Sequence, residues 1–151
     1  MTSLKIGDKA PSITSPDQDG NPVSLAGMKG NKVVIYFYPR DNTPGCTAQA
    51  CNLRDNYAAL LAQGYKIIGI SADSEKSHQG FIAKFDLPFP LIADVDKKVL
   101  QDYGVWGPKK FMGKTYDGIH RTTFIVDENG DIERIISKVD TKNHTQQILE
   151  G

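Results

Sequence analysis

The only two cysteines of the chain stand five positions apart, in Thr43-Pro44-Gly45-Cys46-Thr47-Ala48-Gln49-Ala50-Cys51. The apolar run Val33-Val34-Ile35-Tyr36-Phe37-Tyr38 precedes them, closed by Pro39. A strand, a short turn and a helix that opens on a cysteine is a way to make a reactive thiolate. Thr43 suits an N-cap. Pro44 suits the first helical position, where its fixed φ is already helical and its missing N–H is not needed. Gly45 lets the backbone approach closely, and Cys46 falls in the first turn. Unpaired N–H groups and the positive end of the helix dipole meet there, which favours thiolate over thiol. Free cysteines also pack well in cores, but a core position needs neither the Thr-Pro-Gly lead-in nor a helix start.

Helical geometry limits what the second cysteine can do. At about 100° per residue, Cys46 shares a face with Ala50, Leu53, Tyr57, Leu60 and Leu61, and Cys51 points off that stripe. In an intact helix the two Cα atoms are roughly 8.6 Å apart, from the 1.5 Å rise and 2.3 Å radius. A disulfide wants less than about 7 Å. A permanent bridge is therefore not expected, and a transient one coupled to unwinding of the first turns fits better.

The elements that position this pair alternate along the chain. Residues 33–38 read as a strand, and a helix runs from about Pro44 to Gln63, stopped by Gly64. Tyr65–Ser71 reads as a buried strand, and Ser74–Phe85 as a helix capped by Ser74. Leu91-Ile92-Ala93 is a short strand and Asp96–Tyr103 a short helix. Gly104–Gly118 reads as a long loop, a length that suggests function. Thr122–Val126 and Asp131–Ser137 read as a hairpin around Asp127-Glu128-Asn129-Gly130, and a last helix starts near Thr141. Strand, helix and strand followed by a hairpin and helix predict an α/β thioredoxin fold with an N-terminal extension and a central mixed sheet flanked by helices. Residues 1–151 are expected to form a single domain.

The residues resemble the peroxiredoxins, and within them the bacterioferritin-comigratory, or peroxiredoxin Q, subfamily. The likeness spans the chain. It includes Gly7-Asp8-Lys9-Ala10-Pro11, Phe37-Tyr38-Pro39, Thr43-Pro44-Gly45-Cys46-Thr47, Gly69-Ile70-Ser71-Ala72-Asp73, Tyr103-Gly104-Val105-Trp106-Gly107 and Gly118-Ile119-His120-Arg121-Thr122-Thr123-Phe124. It implies that Cys46 is a peroxidatic cysteine and Cys51 a resolving one. Thr43 and Arg121 would frame the peroxide, while Pro39 and Gly45 shape the pocket. Many relatives carry Glu three residues after the peroxidatic cysteine, where this chain has Gln49, so Gln49 is given no role. His120 is expected to shape the site, not to act as an acid.

The arginine matters for a reason of magnitude. An ordinary cysteine is about 3% thiolate at pH 7. Full ionisation gains at most about 30-fold, and nucleophilicity falls with the pKa. The rest of a fast peroxide reaction must come from holding the O–O bond and receiving the charge on its leaving oxygen. Arg121, the Thr43 hydroxyl and the Cys46 N–H are the candidates. The expected reaction reduces hydrogen peroxide and organic hydroperoxides, with thioredoxin or a similar dithiol as the reductant.

Rival readings are a thioredoxin-like thiol–disulfide oxidoreductase or a non-catalytic binding module on the same fold. The oxidoreductase normally carries Cys-x2-Cys and a proline where His120-Arg121-Thr122 stands here. No second close Cys or His pair accompanies the cysteines, so neither a metal nor a cofactor is expected. His78 and His144 read as exposed helix positions, and Trp106, Phe111 and Met112 as core packing. The 18 basic and 18 acidic residues cancel, pointing to no nucleic-acid or membrane partner. The first residues lack a secretory pattern, so a cytoplasmic location is expected. The resemblance also implies a monomer.

Overall fold

In the computed structural model, which describes residues 2–150, a short antiparallel pair opens the chain: β1 (Thr14–Pro16) and β2 (Pro22–Ser24). Next come β3 (Lys32–Phe37), α1 (Pro44–Asp55), α2 (Tyr57–Ala62) and β4 (Tyr65–Ser71). α3 (Glu75–Phe85), β5 (Leu91–Ala93) and α4 (Lys98–Asp102) follow. β6 (Trp106–Phe111) and β7 (Lys114–Ile119) form a separate hairpin, and β8 (Thr122–Val126), β9 (Ile132–Ile136) and α5 (His144–Glu150) complete the chain.

The central sheet has the order β5-β4-β3-β8-β9. β3, β4 and β5 are parallel, joined by helical crossovers, whereas β8 is antiparallel to both β3 and β9. The period-2 alternation of β3 divides the core. Val33, Ile35 and Phe37 pack with α4 and the N-terminal segment; Val34, Tyr36 and Tyr38 pack with α1, α2, α3 and α5. Burial on both faces explains the unbroken apolar run, which alternating polarity would have forbidden. This is the expected α/β arrangement, a mixed sheet with helices on both faces.

Several local expectations are corrected. The helix expected over 44–63 is two, broken at Asn56 (φ −112°, ψ 14°). The Asn56 side chain donates to the Asn52 carbonyl at 2.8 Å, while its own N–H turns to Arg54. Such side-chain competition for helix carbonyls favours a break. The break also re-phases the apolar stripe: Leu60 is buried but Leu61 is exposed. The expected loop over 104–118 is largely the β6–β7 hairpin. Its two turn residues, Met112 and Gly113, both have positive φ (51° and 80°), the turn that matches strand twist. Methionine is an unusual residue there, which hid the turn. Phe111 and Met112 are exposed at its tip, not in the core.

His78 and His144 are also corrected: both are fully buried. Each is accommodated because both ring nitrogens find partners. Those of His78 meet Asp41 and the Ile92 carbonyl; those of His144 meet Thr123 and Gln147.

Candidate active site

The turn after β3 runs through Asp41 and Asn42, the latter at φ 59°, into the start of α1. Thr43 occupies the N-cap with extended backbone (φ −96°, ψ 157°), and Pro44 takes the first helical position as expected. The cap is not made by the hydroxyl, however. Thr43 Oγ1 donates to the Arg40 carbonyl at 2.9 Å, and the helix starts with Thr47 N–H donating to the Thr43 carbonyl at 2.8 Å. With its hydrogen committed to Arg40, the hydroxyl oxygen can only accept from a ligand. Cys46 in the first turn is 2% exposed. Pro39 is half-buried where β3 ends.

Arg121 arrives from the neighbouring strand. β8 pairs with β3 up to Phe37↔Thr122, and Arg121 stands one residue beyond, beside the helix opening. Its Nη2 donates to Cys46 Sγ at 3.2 Å, and its Nη1 donates to Gln49 Oε1 at 2.6 Å. A Cβ on Gly45 would meet Nη2 at 3.4 Å, contact distance for an alanine. An N–H of a permanently charged guanidinium directed at sulfur complements a thiolate. The same fork can receive charge on a leaving oxygen.

Gln49 is the residue that sequence reasoning missed. It is fully buried and lies one turn after Cys46, on the same side of α1. The amide oxygen must face Arg121, which only donates. That leaves Nε2 buried without a partner among the described residues. The spacing of three from Cys46 was the available signal. The absence of a negative charge concealed it, since a neutral amide oxygen can still accept from a guanidinium, though more weakly than a carboxylate.

An aromatic floor keeps water from this corner. Tyr36 stacks on Tyr38 with ring centroids 5.4 Å apart and meets Phe89 edge-on. Burial, with Cys46 as the nearest further influence, pushes the Tyr36 phenol well above its usual range. Tyr36 fits only because position 69 is glycine: a Cβ there would fall 2.9 Å from its oxygen and 2.6 Å from Leu91. His120 is bonded to the β6 side of the site. Its N–H donates to the Val105 carbonyl at 2.7 Å and its Nε2 to that of Pro108 at 3.0 Å. These two bonds tie the residue before Arg121 to Val105 and to β6.

Cys51 is half-buried on the same helix. Because α1 is continuous over 44–55, the helix-based separation of roughly 8.6 Å between the two Cα atoms applies. Cys46, Arg121, Thr43 and Gly45 are thus brought to one corner, and the intact α1 keeps Cys51 out of it.

Comparison with known proteins agrees with this arrangement. Residues 6–135 match the AhpC/TSA family. The chain is 48% identical to Peroxiredoxin Bcp of Escherichia coli (strain K12), over 99% of this chain and 96% of the relative. Among solved structures, Xanthomonas campestris Peroxiredoxin Q superposes with a TM-score of 0.86 and 32% identity, covering 99% of this chain and 94% of its own. The Xanthomonas campestris bacterioferritin comigratory protein, described for its alkyl peroxide reduction activity, gives the same TM-score and identity over 99% and 96%. A buried cysteine at a helix start, an arginine donating to its sulfur and these full-length likenesses agree: the chain belongs to the AhpC/TSA family, as a thioredoxin-fold peroxiredoxin of the Bcp and peroxiredoxin Q kind.

Proposed function

We infer that this chain reduces hydroperoxides, alkyl hydroperoxides included, with Cys46 as nucleophile and Cys51 as resolving thiol. The single observation that carries this reading is Arg121 Nη2 at 3.2 Å from the buried Cys46 Sγ. A dithiol-exchange site presents its sulfur to a protein disulfide; a sulfur 2% exposed under a guanidinium admits a small oxidant instead.

The Cys46 thiolate attacks the terminal oxygen of R–O–O–H. The S–O bond forms as the O–O bond breaks, and the electron pair leaves on the alkoxide, or on hydroxide when R is hydrogen. Thr43 Oγ1 accepts from the bound peroxide's O–H. Arg121 and the Cys46 N–H receive the growing negative charge, and a proton from solvent completes the alcohol or water. Cys46 is left as sulfenic acid. Once the start of α1 opens, the Cys51 thiolate attacks that sulfur. The S–S bond forms as the S–O bond breaks, and the sulfenic oxygen leaves as hydroxide and takes a proton from solvent to become water. An external dithiol of the thioredoxin type reduces the disulfide by exchange and is itself oxidised. The chain acts as a monomer in the cytoplasm on this reading. Among the described residues no helix is long and apolar enough to cross a membrane.

The test uses wild type, Cys46→Ser and Cys51→Ser, with Trp106 as the fluorescence reporter. Reduced protein is mixed with hydrogen peroxide in a stopped-flow instrument, then thiols are counted and intact mass taken. Wild type is expected to lose both thiols to one internal disulfide. Cys51→Ser should stop at the sulfenic acid and Cys46→Ser should be inert. Reaction of wild type no faster than a free thiol would overturn the assignment.

A further inference from the structure

The turn between β3 and α1 is fastened by residues that the peroxide chemistry does not use. Asp41, five positions before Cys46, is 8% exposed, and its carboxylate takes three partners. Tyr38 O–H donates to Oδ1 at 2.6 Å, Ser77 O–H donates to Oδ2 at 2.8 Å, and His78 Nδ1 lies 2.7 Å from Oδ2. The Asp41 N–H donates to Asp73 Oδ2 at 2.8 Å, which also accepts from the Ser71 hydroxyl at 2.8 Å. His78 is fully buried, with Nε2 2.9 Å from the Ile92 carbonyl.

Donor and acceptor counting fixes the character of this knot. A carbonyl only accepts, so His78 Nε2 carries a hydrogen. Nδ1 faces a carboxylate already accepting from two hydroxyls, so one proton lies on the Nδ1–Oδ2 line and the pair as a whole is neutral. The ligand atoms of Asp41, Asp73 and His78 lie within 4.8 Å of one another, close enough to hold a cation. Both Asp41 oxygens and Asp73 Oδ2 are already engaged by donors, however, which makes the cluster a hydrogen-bonded post and not a ligand set. It ties the turn to α3 through Ser77 and His78, to the end of β4 through Ser71, and to β5 through Ile92. Only Asn42 and Thr43 separate it from α1.

We propose that Asp41 and His78 are positioning residues: their bond fixes the turn on which Thr43 and Cys46 meet Arg121, and it is the post from which α1 unwinds. This rests on the Cys46 peroxidase reading given above. Two steps of that cycle need opposite states of the same segment. Attack on peroxide requires the intact corner, and condensation with Cys51 requires the opened one. Weakening the post therefore slows the first step and speeds the second. A merely structural pair would lower the melting temperature and leave both rates unchanged while the protein stays folded.

The experiment separates the two rates by stopped-flow fluorescence with hydrogen peroxide, in wild type, Asp41→Asn, His78→Gln and Ser77→Ala. In Asp41→Asn an amide N–H meets donors where a carboxylate oxygen accepted. The second-order peroxide step is expected to fall at least about tenfold, and the first-order disulfide step to rise at least about threefold. His78→Gln should show the same opposition. Ser77→Ala, which removes one of three partners, should show it in smaller measure and decides the matter if the other two do not fold. Folded variants with both rates at the wild-type values would overturn the proposal alone. A wild type that itself lacks the peroxide phase would overturn the Cys46 reading, and this proposal with it.

Discussion

Arg121 Nη2 lies 3.2 Å from Cys46 Sγ across 75 positions of sequence, because β3–β8 pairing sets the chain before β8 beside the helix that follows β3. The guanidinium uses its fork: one arm holds the sulfur, the other is held by Gln49. A lysine offers a point charge and cannot span both. Arg121→Lys is therefore expected to lower the second-order rate with peroxide about 10²- to 10³-fold, the usual cost of one preorganised donor. With the second arm gone, the buried Gln49 Oε1 loses its donor, so stability, and with it the melting temperature, should fall as well, by the roughly 1–3 kcal/mol of one unpaired buried group. Stopped-flow rates and a thermal melt of the same sample check both halves; a rate within threefold of wild type would sink the claim.

Gln49 separates catalysis from stability. Its buried amide nitrogen has no partner among the described residues, and an unpaired buried polar group costs roughly 1–3 kcal/mol. Gln49→Leu removes that cost along with the arginine's anchor. The peroxide rate should drop about tenfold as Arg121 loses its fixed orientation, while the melting temperature holds or rises. A variant that loses stability and keeps its rate would show that Gln49 is packing alone.

The split between what sequence patterns reveal and what they hide follows the range of the interactions. β3, β4 and the β8–β9 hairpin are written in local runs of apolar residues, and α1 announces itself through Thr43-Pro44. α3 carries its own cap, with the Ser74 hydroxyl accepting from the Ser77 N–H at 3.1 Å. The hidden features depend on distant partners. His78 looks like a polar surface residue until Asp41, 37 positions away, closes on it. His144 does so until Thr123 arrives on β8. Gln49 has no evident task without Arg121, 72 positions on. The start of α4 is likewise set from outside, by Asp94 accepting from the N–H groups of Val99 and Leu100. That leaves the helix to begin two residues later than its pattern suggests.

His144 should make stability depend on pH. Its pKa is held below the ordinary value of 6.5 chiefly by burial, opposed by its bond to Gln147 and reinforced by the nearby Arg121 and Arg134 charges. The unfolded chain therefore takes up this proton first. The contribution of His144 is fully present above pH 6.5 and is lost as pH falls through that value, down to the folded-state pKa. His144→Gln, which does not titrate, should melt lower than wild type at pH 7.5 yet lose less of its melting temperature on going to pH 5.5. Parallel melting curves for the two proteins across that range would show that the imidazole is not the source.

Oxidation should unwind α1 while its far end stays anchored to α5. Bonding Cys46 to Cys51 requires Cα atoms closer than about 7 Å, which the helix does not allow at roughly 8.6 Å. At the far side the unwinding meets a clamp. Asn52 Nδ2 donates to the Lys142 carbonyl at 2.9 Å, and Asn52 Oδ1 accepts from the Thr145 N–H at 2.8 Å. Leu53, buried in the core, holds the next residue. Opening should therefore leave Asn52 and the chain beyond it in place. Hydrogen exchange measured on reduced and peroxide-treated protein should show protection lost over α1, including Leu53 to Asp55, whose N–H groups reach back to the carbonyls of residues 49–51 in the intact helix. Protection should be retained at Leu60 of α2, bonded to the Asn56 carbonyl. In Asn52→Leu the loss should extend into α2, because α5 no longer grips the end of α1 there. Equal exchange over 43–51 in the two redox states would mean that the disulfide forms without unwinding, contrary to the geometry of α1.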